Sequence, residues 1–199
     1  IYFYVNEVEL PSKSQLKKVL EVLAQHPLFE VVFAFYNGSP ERVKELEGQL
    51  EELIASEQDL HLVQSPAQME GLGENQIIDE ESVQDAPDYR FVVKNFSNEN
   101  DIIQELEKTR LIVDLSEEPN LYTQIAGISA GIPQVNRVQT EYVDHLKNGY
   151  VLSKGDKELE KAITHFLLEL KPWNEALVYS IEKIQEYTGQ RLIEKWEGW

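Results

Sequence analysis

The sequence predicts an α/β fold: a Rossmann-like parallel sheet with helices on both faces. Near-continuous apolar runs, such as EVVFAFY (30–36) and the LIVD of 111–114, read as strands buried on both sides, as in a parallel sheet. Segments of about 10–17 residues with helical apolar spacing separate these runs, the order expected of βαβ units. The stretch 110–136, RLIVDLSEEPNLYTQIAGISAGIPQVN, adds a strand, an acidic loop, a helix, a Gly-Ile-Pro break and another strand. In an open parallel sheet that order puts the acidic loop and a helix N-terminus at the carboxyl ends of the strands, where ligands bind. An acidic loop there can receive hydroxyls, and it is a poor site for bare phosphate without a cation.

Each element follows in turn. IYFYV (1–5) is the first strand. Ser12 or Ser14 caps a helix reaching about residue 26, with Leu16, Val19, Leu20 and Leu23 on one face, and Pro27 ends it. Strand 30–36 runs into an Asn37-Gly38 turn. Ser39-Pro40-Glu41-Arg42 then opens a helix to about residue 55, with proline at the first helical position. A strand is expected over 60–64. The next stretch, 65–88, carries Glu70, Glu74, Asp79, Glu80, Glu81, Asp85 and Asp88 without Lys or Arg. It reads as a solvated acidic insertion; the sharper alternative is a docking segment for a basic partner.

RFVVKNF (90–96) resumes the rhythm, followed by a helix over 98–108, a strand over 111–114 and a helix over 121–130. Gly131-Ile132-Pro133 breaks the last of these and leads into a further strand. Residues 142–146 read as one turn of helix, and Asn148-Gly149 as a turn before a strand over 150–152. Asp156 is expected to cap a helix to 170, and Pro172 to start another to about 188. Gly189 leads to an amphipathic end at Trp199. No internal repeat and no linker rich in Pro, Gly and Ser appears. One domain over 1–199, with an acidic insertion at 65–88 and a helical region from about 156, is the simplest account.

Composition narrows the function classes. The chain of 199 residues has 42% hydrophobic and 10% aromatic residues, enough for a core without staples. The absence of cysteine excludes disulfides, thiolate metal sites and a cysteine nucleophile. The formal charge of −18, from 36 acids and 18 bases, disfavours nucleic acid and anionic lipid. No apolar run is long enough for a transmembrane segment, and no secretory signal pattern opens the chain. The abrupt start on IYFYVNEVEL reads as that of a fragment.

Taken in order, EVVFAFYNGSPERVKELEGQL, SEEPNLYTQIAGISAGIPQVN and KNGYVLSKGDKELEKAITHFL resemble the C-terminal half of a retaining GT-B glycosyltransferase. That family runs its second strand into a G-x-P-E-like turn. It holds donor with S-E-G-F-G-L…E-A-x-A-x-G-x-P, and an N-G-x-L-x-x-x-G-D element precedes a helix. More narrowly, DLSEEPNLYTQIAGISAGIPQVN is similar to the first of the accessory Sec system proteins, which serve the export of serine-rich-repeat glycoprotein adhesins. The resemblance implies a GT-B fold kept without a proven transferase role.

The residues matching the donor site depart from the enzyme pattern. Retaining GT-B enzymes place two glutamates eight positions apart; here these fall on Glu118 and Ala126. Alanine offers no acceptor to a ribose diol, a loss of roughly 1–3 kcal/mol in binding. The small Gly-x-Gly of the family reads Pro119-Asn120-Leu121, and Pro119 removes an N–H. The diphosphate Arg and the Lys five residues on fall on Val8 and Lys13, in a loop that also carries Glu7 and Glu9. A diphosphate needs about two cations or a metal. A vestigial donor pocket of Lys13, Glu118, Asn120 and Gln124, with no catalytic residue, is therefore expected. Glu118 reads as a helix N-terminal acid.

Other chemistries lack their patterns. His26, His61, His145 and His165 form no metal-ligand spacing, so neither a metal nor a cofactor is expected. Gly127-Ile128-Ser129-Ala130-Gly131 meets the G-x-S-x-G spacing, but Ser129 lies near a helix end and not at a strand-to-helix elbow. No P-loop and no G-x-G-x-x-G follows the first strand. Trp173, Trp196 and Trp199, with Tyr179 and Tyr187, make the C-terminal helices aromatic, which fits packing against a missing N-terminal half.

The resemblance implies a noncatalytic component of the accessory Sec export machinery. It would act through protein and glycan binding, with the second and third accessory Sec proteins, the motor ATPase and the glycosylated adhesin as partners. It further implies a cytoplasmic protein, peripheral at the membrane translocon. The alternative is an active retaining glycosyltransferase that uses a nucleotide-sugar donor, with Glu118 and Lys13 in the donor site.

Overall fold

Among the described residues, six strands are formed: β1 (Tyr2–Tyr4), β2 (Val31–Tyr36), β3 (Phe91–Phe96), β4 (Ile112–Asp114), β5 (Gln134–Asn136) and β6 (Gly149–Val151). They make one parallel sheet in the order β3-β2-β1-β4-β5-β6. This computed structural model describes residues 1–56, 60, 90–153 and 155–187. The strand expected over 60–64, the acidic segment 65–88, His61, Trp196 and Trp199 lie outside the described residues, apart from Leu60. The expected α/β class and parallel topology are borne out.

Among the described residues, six α-helices connect and cover the strands: α1 (Lys13–Gln25), α2 (Pro40–Ser56), α3 (Glu99–Leu106), α4 (Leu121–Ser129), α5 (Leu159–Leu168) and α6 (Leu170–Ile184). Ser12, not Ser14, caps α1. Its hydroxyl accepts from the Gln15 N–H while the Gln15 side chain accepts from the Ser12 N–H, a reciprocal capping box. Asn98 and Asn120 cap α3 and α4 through their side-chain oxygens, which accept from the N–H groups of Asp101 and Thr123.

Alternation along the strands sorts side chains to two cores. Phe3, Phe33, Phe35, Val113 and Val135 meet α1, α2 and α5 on one face. Tyr2, Ala34, Phe96 and Ile112 meet Ile102, Leu106 and Ile132 on the other, beneath α3 and α4. Helix α6 lies along α4, and Leu177 fills the space at Gly131, whose φ of 71° favours glycine. At the amino end of the sheet, the Trp173 indole donates to the Arg110 carbonyl at 2.9 Å with the Arg110 guanidinium over its ring. This tryptophan therefore packs within the domain.

Arg90 performs a structural task that its place before a strand does not announce. It is buried, and its guanidinium donates to the carbonyls of Leu23 (2.5 Å), His26 (2.9 Å) and Phe29 (3.2 Å). It thus satisfies the C-terminus of α1, where a cation also complements the helix dipole.

Three local expectations are corrected. Residues 142–146 form a bend and not a helical turn. The Asn148 side chain accepts from the Asp144 N–H and donates to the Tyr142 carbonyl, and Leu146 takes a positive φ of 60°. Asp156 does not cap an α-helix. It sits in a 3-10 turn (Gly155–Glu158) and accepts from the Gln15 side chain at 3.0 Å. Helix α6 starts at Leu170, so Pro172 lies inside its first turn, where a missing N–H is harmless.

Helix α6 is tied to the bend by Asp144, which accepts from Lys183 at 2.6 Å and Tyr179 at 2.8 Å. Burial pushes the Asp144 carboxyl up. The bonds from Lys183 and Tyr179, with the charges of Lys183 and Lys147, outweigh it and hold the group below its ordinary range. A depressed carboxyl stabilises the fold above its unfolded pKa, and that stability is lost as pH falls through the folded value. Asp144→Asn is expected to cost about 1–2 kcal/mol at pH 7, modest because Asp144 is a third exposed. The deficit should shrink below about pH 4 in urea titrations across pH; a deficit independent of pH would exclude the ionic tie.

Candidate functional site at the carboxyl end of the sheet

The strand order reverses between β1 and β4, and in open α/β sheets that switch point opens the ligand crevice. Four loops meet there, following β1, β2, β4 and β5. Asp114 anchors the β4 loop. It is fully buried; one carboxylate oxygen accepts from the N–H and hydroxyl of Ser116, and the other from the Asn120 N–H at 2.9 Å. Burial pushes this carboxyl up, and the Ser116 and Asn120 bonds offset part of the effect. Sequence reasoning missed this anchor; the Asp-x-Ser spacing of an Asx turn is the signal that could have found it. The three bonds that Asp114 accepts tie Ser116 and Asn120 to the end of β4.

A charged clasp spans the mouth. Arg137, immediately after β5, meets Glu9 of the β1 loop at 3.2 Å and Glu117 of the β4 loop at 3.0 Å. Glu9 also accepts from the Glu117 N–H at 3.0 Å. Glu7 accepts from the Ser39 N–H at 3.3 Å, tying in the loop after β2. Sequence reasoning sought a cation in the β1 loop; the cation at this edge comes from β5. Beneath the clasp, the space bounded by Phe3, Tyr4, Asn6, Glu9, Leu115 and Ser116 is about 10 Å³, room for one water. The clasp thus ties the loops after β1, β4 and β5 across the switch point.

The four expected site residues are placed as follows. Lys13 opens α1 and donates to Glu52 of α2 at 2.8 Å, both exposed. Glu118 is exposed in the β4 loop, before the Asn120 cap, so it stands outside the first turn of α4. Asn120 accepts from the Thr123 N–H at 2.8 Å. Gln124 is fully buried and accepts from the Thr140 hydroxyl at 2.8 Å. Asn120 and Gln124 thus meet around the first turns of α4, Glu118 lies on the loop entering it, and Lys13 is engaged elsewhere.

Beneath α4 the buried Gln134 amide donates to the Gln124 carbonyl at 2.9 Å, and Asn136, two residues on in β5, is also buried. Ala126 packs partly buried in the core below α4, and Val8 is 86% exposed at the rim. Ser129 donates to the Ile125 carbonyl at 2.8 Å on an exposed helix end. His26, His145 and His165 lie apart, against Phe29, Tyr150 and Phe166.

Comparison with known proteins agrees with this geometry. The family model of the accessory Sec system protein, the first of the accessory secretory proteins, matches residues 1–199. The corresponding protein of Streptococcus gordonii is 44% identical over 199 residues, all of this chain and 37% of that protein. The chain thus spans little more than a third of that relative. The crystal structure of accessory secretory proteins 1, 2 and 3 of Streptococcus pneumoniae superposes with a TM-score of 0.74 at 39% identity, covering 100% of this chain and 33% of that one. The C-terminal domain of a group 1 glycosyltransferase from Francisella tularensis superposes with a TM-score of 0.62 at 10% identity, covering 92% and 84%, which shows the fold alone. The chain belongs to the family of the first accessory Sec system protein, on a GT-B-like fold.

Proposed function

We propose that this chain is a noncatalytic GT-B-like module that works in accessory Sec export through binding surfaces. The clasp across the switch-point crevice carries the reading. A nucleotide-sugar donor needs access between the loops after β1, β4 and β5, and here Arg137 with Glu9 and Glu117 ties them to one another. Arg137, a cation at this edge of the crevice, is already shared by two carboxylates. Ala126 in place of the second glutamate points the same way.

The chain forms one domain over 1–199 and acts on protein and glycan. Its partners are the second and third accessory Sec proteins, as in the pneumococcal structure that holds all three, together with the motor ATPase and the glycosylated adhesin. It works in the cytoplasm, peripheral to the translocon; no described helix is long and apolar enough to cross a membrane.

Calorimetric titration with UDP and UDP-sugars tests the proposal. No saturable heat up to millimolar nucleotide is the expected result. Micromolar binding would return the retaining transferase, with Glu118 and Lys13 at the donor.

A further inference from the structure

Helix α4 has no charged residue (LYTQIAGIS), although 27% of the chain is charged. Its outer face leaves Leu121 and Ile125 exposed at 52% and 39%, and Ile103 of the neighbouring α3 at 45%. Between the two helices runs an open trough of about 490 Å³, walled by Ile103, Leu106, Tyr122, Ile125, Ala126 and Ala130, with the Ser129 hydroxyl at its rim and Glu107 at one end. Beyond the other end Glu99 opens the helix that carries Ile103, one turn before it, and its charge acts on the Tyr122 phenol. The trough is therefore walled mainly by apolar side chains and flanked by an acid at each end. The two acids are separated by eight residues of helix rise, about 12 Å.

We infer that this trough docks an amphipathic helix of a partner protein, its apolar side on Ile103, Tyr122 and Ile125 and a cation facing each of Glu99 and Glu107. Shape and charge select that occupant. Among the described residues that line the trough, none is a fully buried polar group aimed inward, which a small polar ligand would require. Acidic ends and a net charge of −18 oppose an anionic membrane surface and a second copy of the chain. An apolar groove with charged ends is what a helix with apolar anchors at i, i+3, i+4 and i+7 fits, with its cations seven or eight positions apart. The inference rests on the assembly reading above and specifies the partner's chemistry.

The test uses the full-length protein with its purified second and third accessory Sec proteins, and reads affinity at low and high salt. Ile125→Asp is expected to weaken assembly at least about 30-fold, as loss of an interface anchor does. The double variant Glu99→Lys, Glu107→Lys is expected to weaken it about tenfold at low salt and to flatten the salt dependence. Melting temperatures should stay unchanged, because all three side chains are exposed.

Wild-type affinity in both variants would overturn the inference while leaving the assembly reading intact. Failure of the wild-type protein to assemble would overturn both. Lower melting temperatures with assembly unchanged would place a segment of the same chain in the trough. A wild-type dimer made monomeric by Ile125→Asp, seen by light scattering, would place a second copy there; either result overturns the partner helix.

Discussion

Gly149→Ala should lower stability by about 3 kcal/mol or more, a fall of roughly 6–12 °C in melting temperature for a chain of this size. A Cβ at this position would stand 2.4 Å from the Gln134 carbonyl oxygen and 2.5 Å from a Val143 methyl. The first of these atoms is backbone on the neighbouring strand, paired to Gly149 in register, so it cannot swing aside. Strand β6 would have to lift from β5, loosening the Asn148-held bend that carries Asp144. Gly48→Ala is the natural control. Nothing lies within 4 Å of a Cβ there, and the site is an exposed position on α2. This substitution should stabilise by about 0.5–1 kcal/mol through helix propensity. Thermal unfolding of the pair separates close packing from a general dislike of replacing glycine, and equal effects would refute the packing argument.

Arg90→Leu should be comparably damaging, at about 3–4 kcal/mol. Three carbonyls at the end of α1 and in the turn after it lose a charged donor in a buried place, and each unmet acceptor there costs on the order of 1 kcal/mol or more. Arg90→Lys keeps the charge but not the fork, and should recover less than half of the loss. Urea unfolding followed by circular dichroism gives both numbers. A loss under about 1 kcal/mol for the leucine variant would show that water takes over the carbonyls.

Strands β2 and β4 were legible because burial on two faces leaves an apolar run, whereas β3, half exposed at the sheet edge, and β5, Gln-Val-Asn, were placed by the order of elements around them. The capping box of α1 was half legible: Ser12 and Ser14 both look suitable until the Gln15 side chain, three residues after Ser12, decides between them. Local patterns failed where a distant or irregular partner wins. Residues 142–146 have helix-compatible spacing, yet the side chain of Asn148 offers their backbone a better bargain. Asp156 looks like a cap, yet Gln15, 141 positions earlier, holds it. At the site, aligning motifs located Asn120 and Gln124 on α4. It could not locate the clasp, since Glu9 and Arg137 are 128 positions apart and carry no shared local signature.

The strand order also has a consequence for how the chain is made. Tyr2–Tyr4 pairs with Val32–Ala34 on one side and with Ile112–Asp114 on the other. During synthesis β1, β2 and β3 all leave the ribosome well before β4. For that interval what becomes the middle of the sheet is a raw edge, with unpaired peptide groups and the apolar side chains of Tyr2 and Phe3 beside them. Closing it depends on contacts remote in sequence, which are intrinsically slow. The chain is therefore most adhesive between the emergence of β1 and that of β4, and the surplus of glutamates on α2, with Glu7, Glu9 and Glu30 in the loops, supplies the repulsion that keeps neighbouring nascent chains apart.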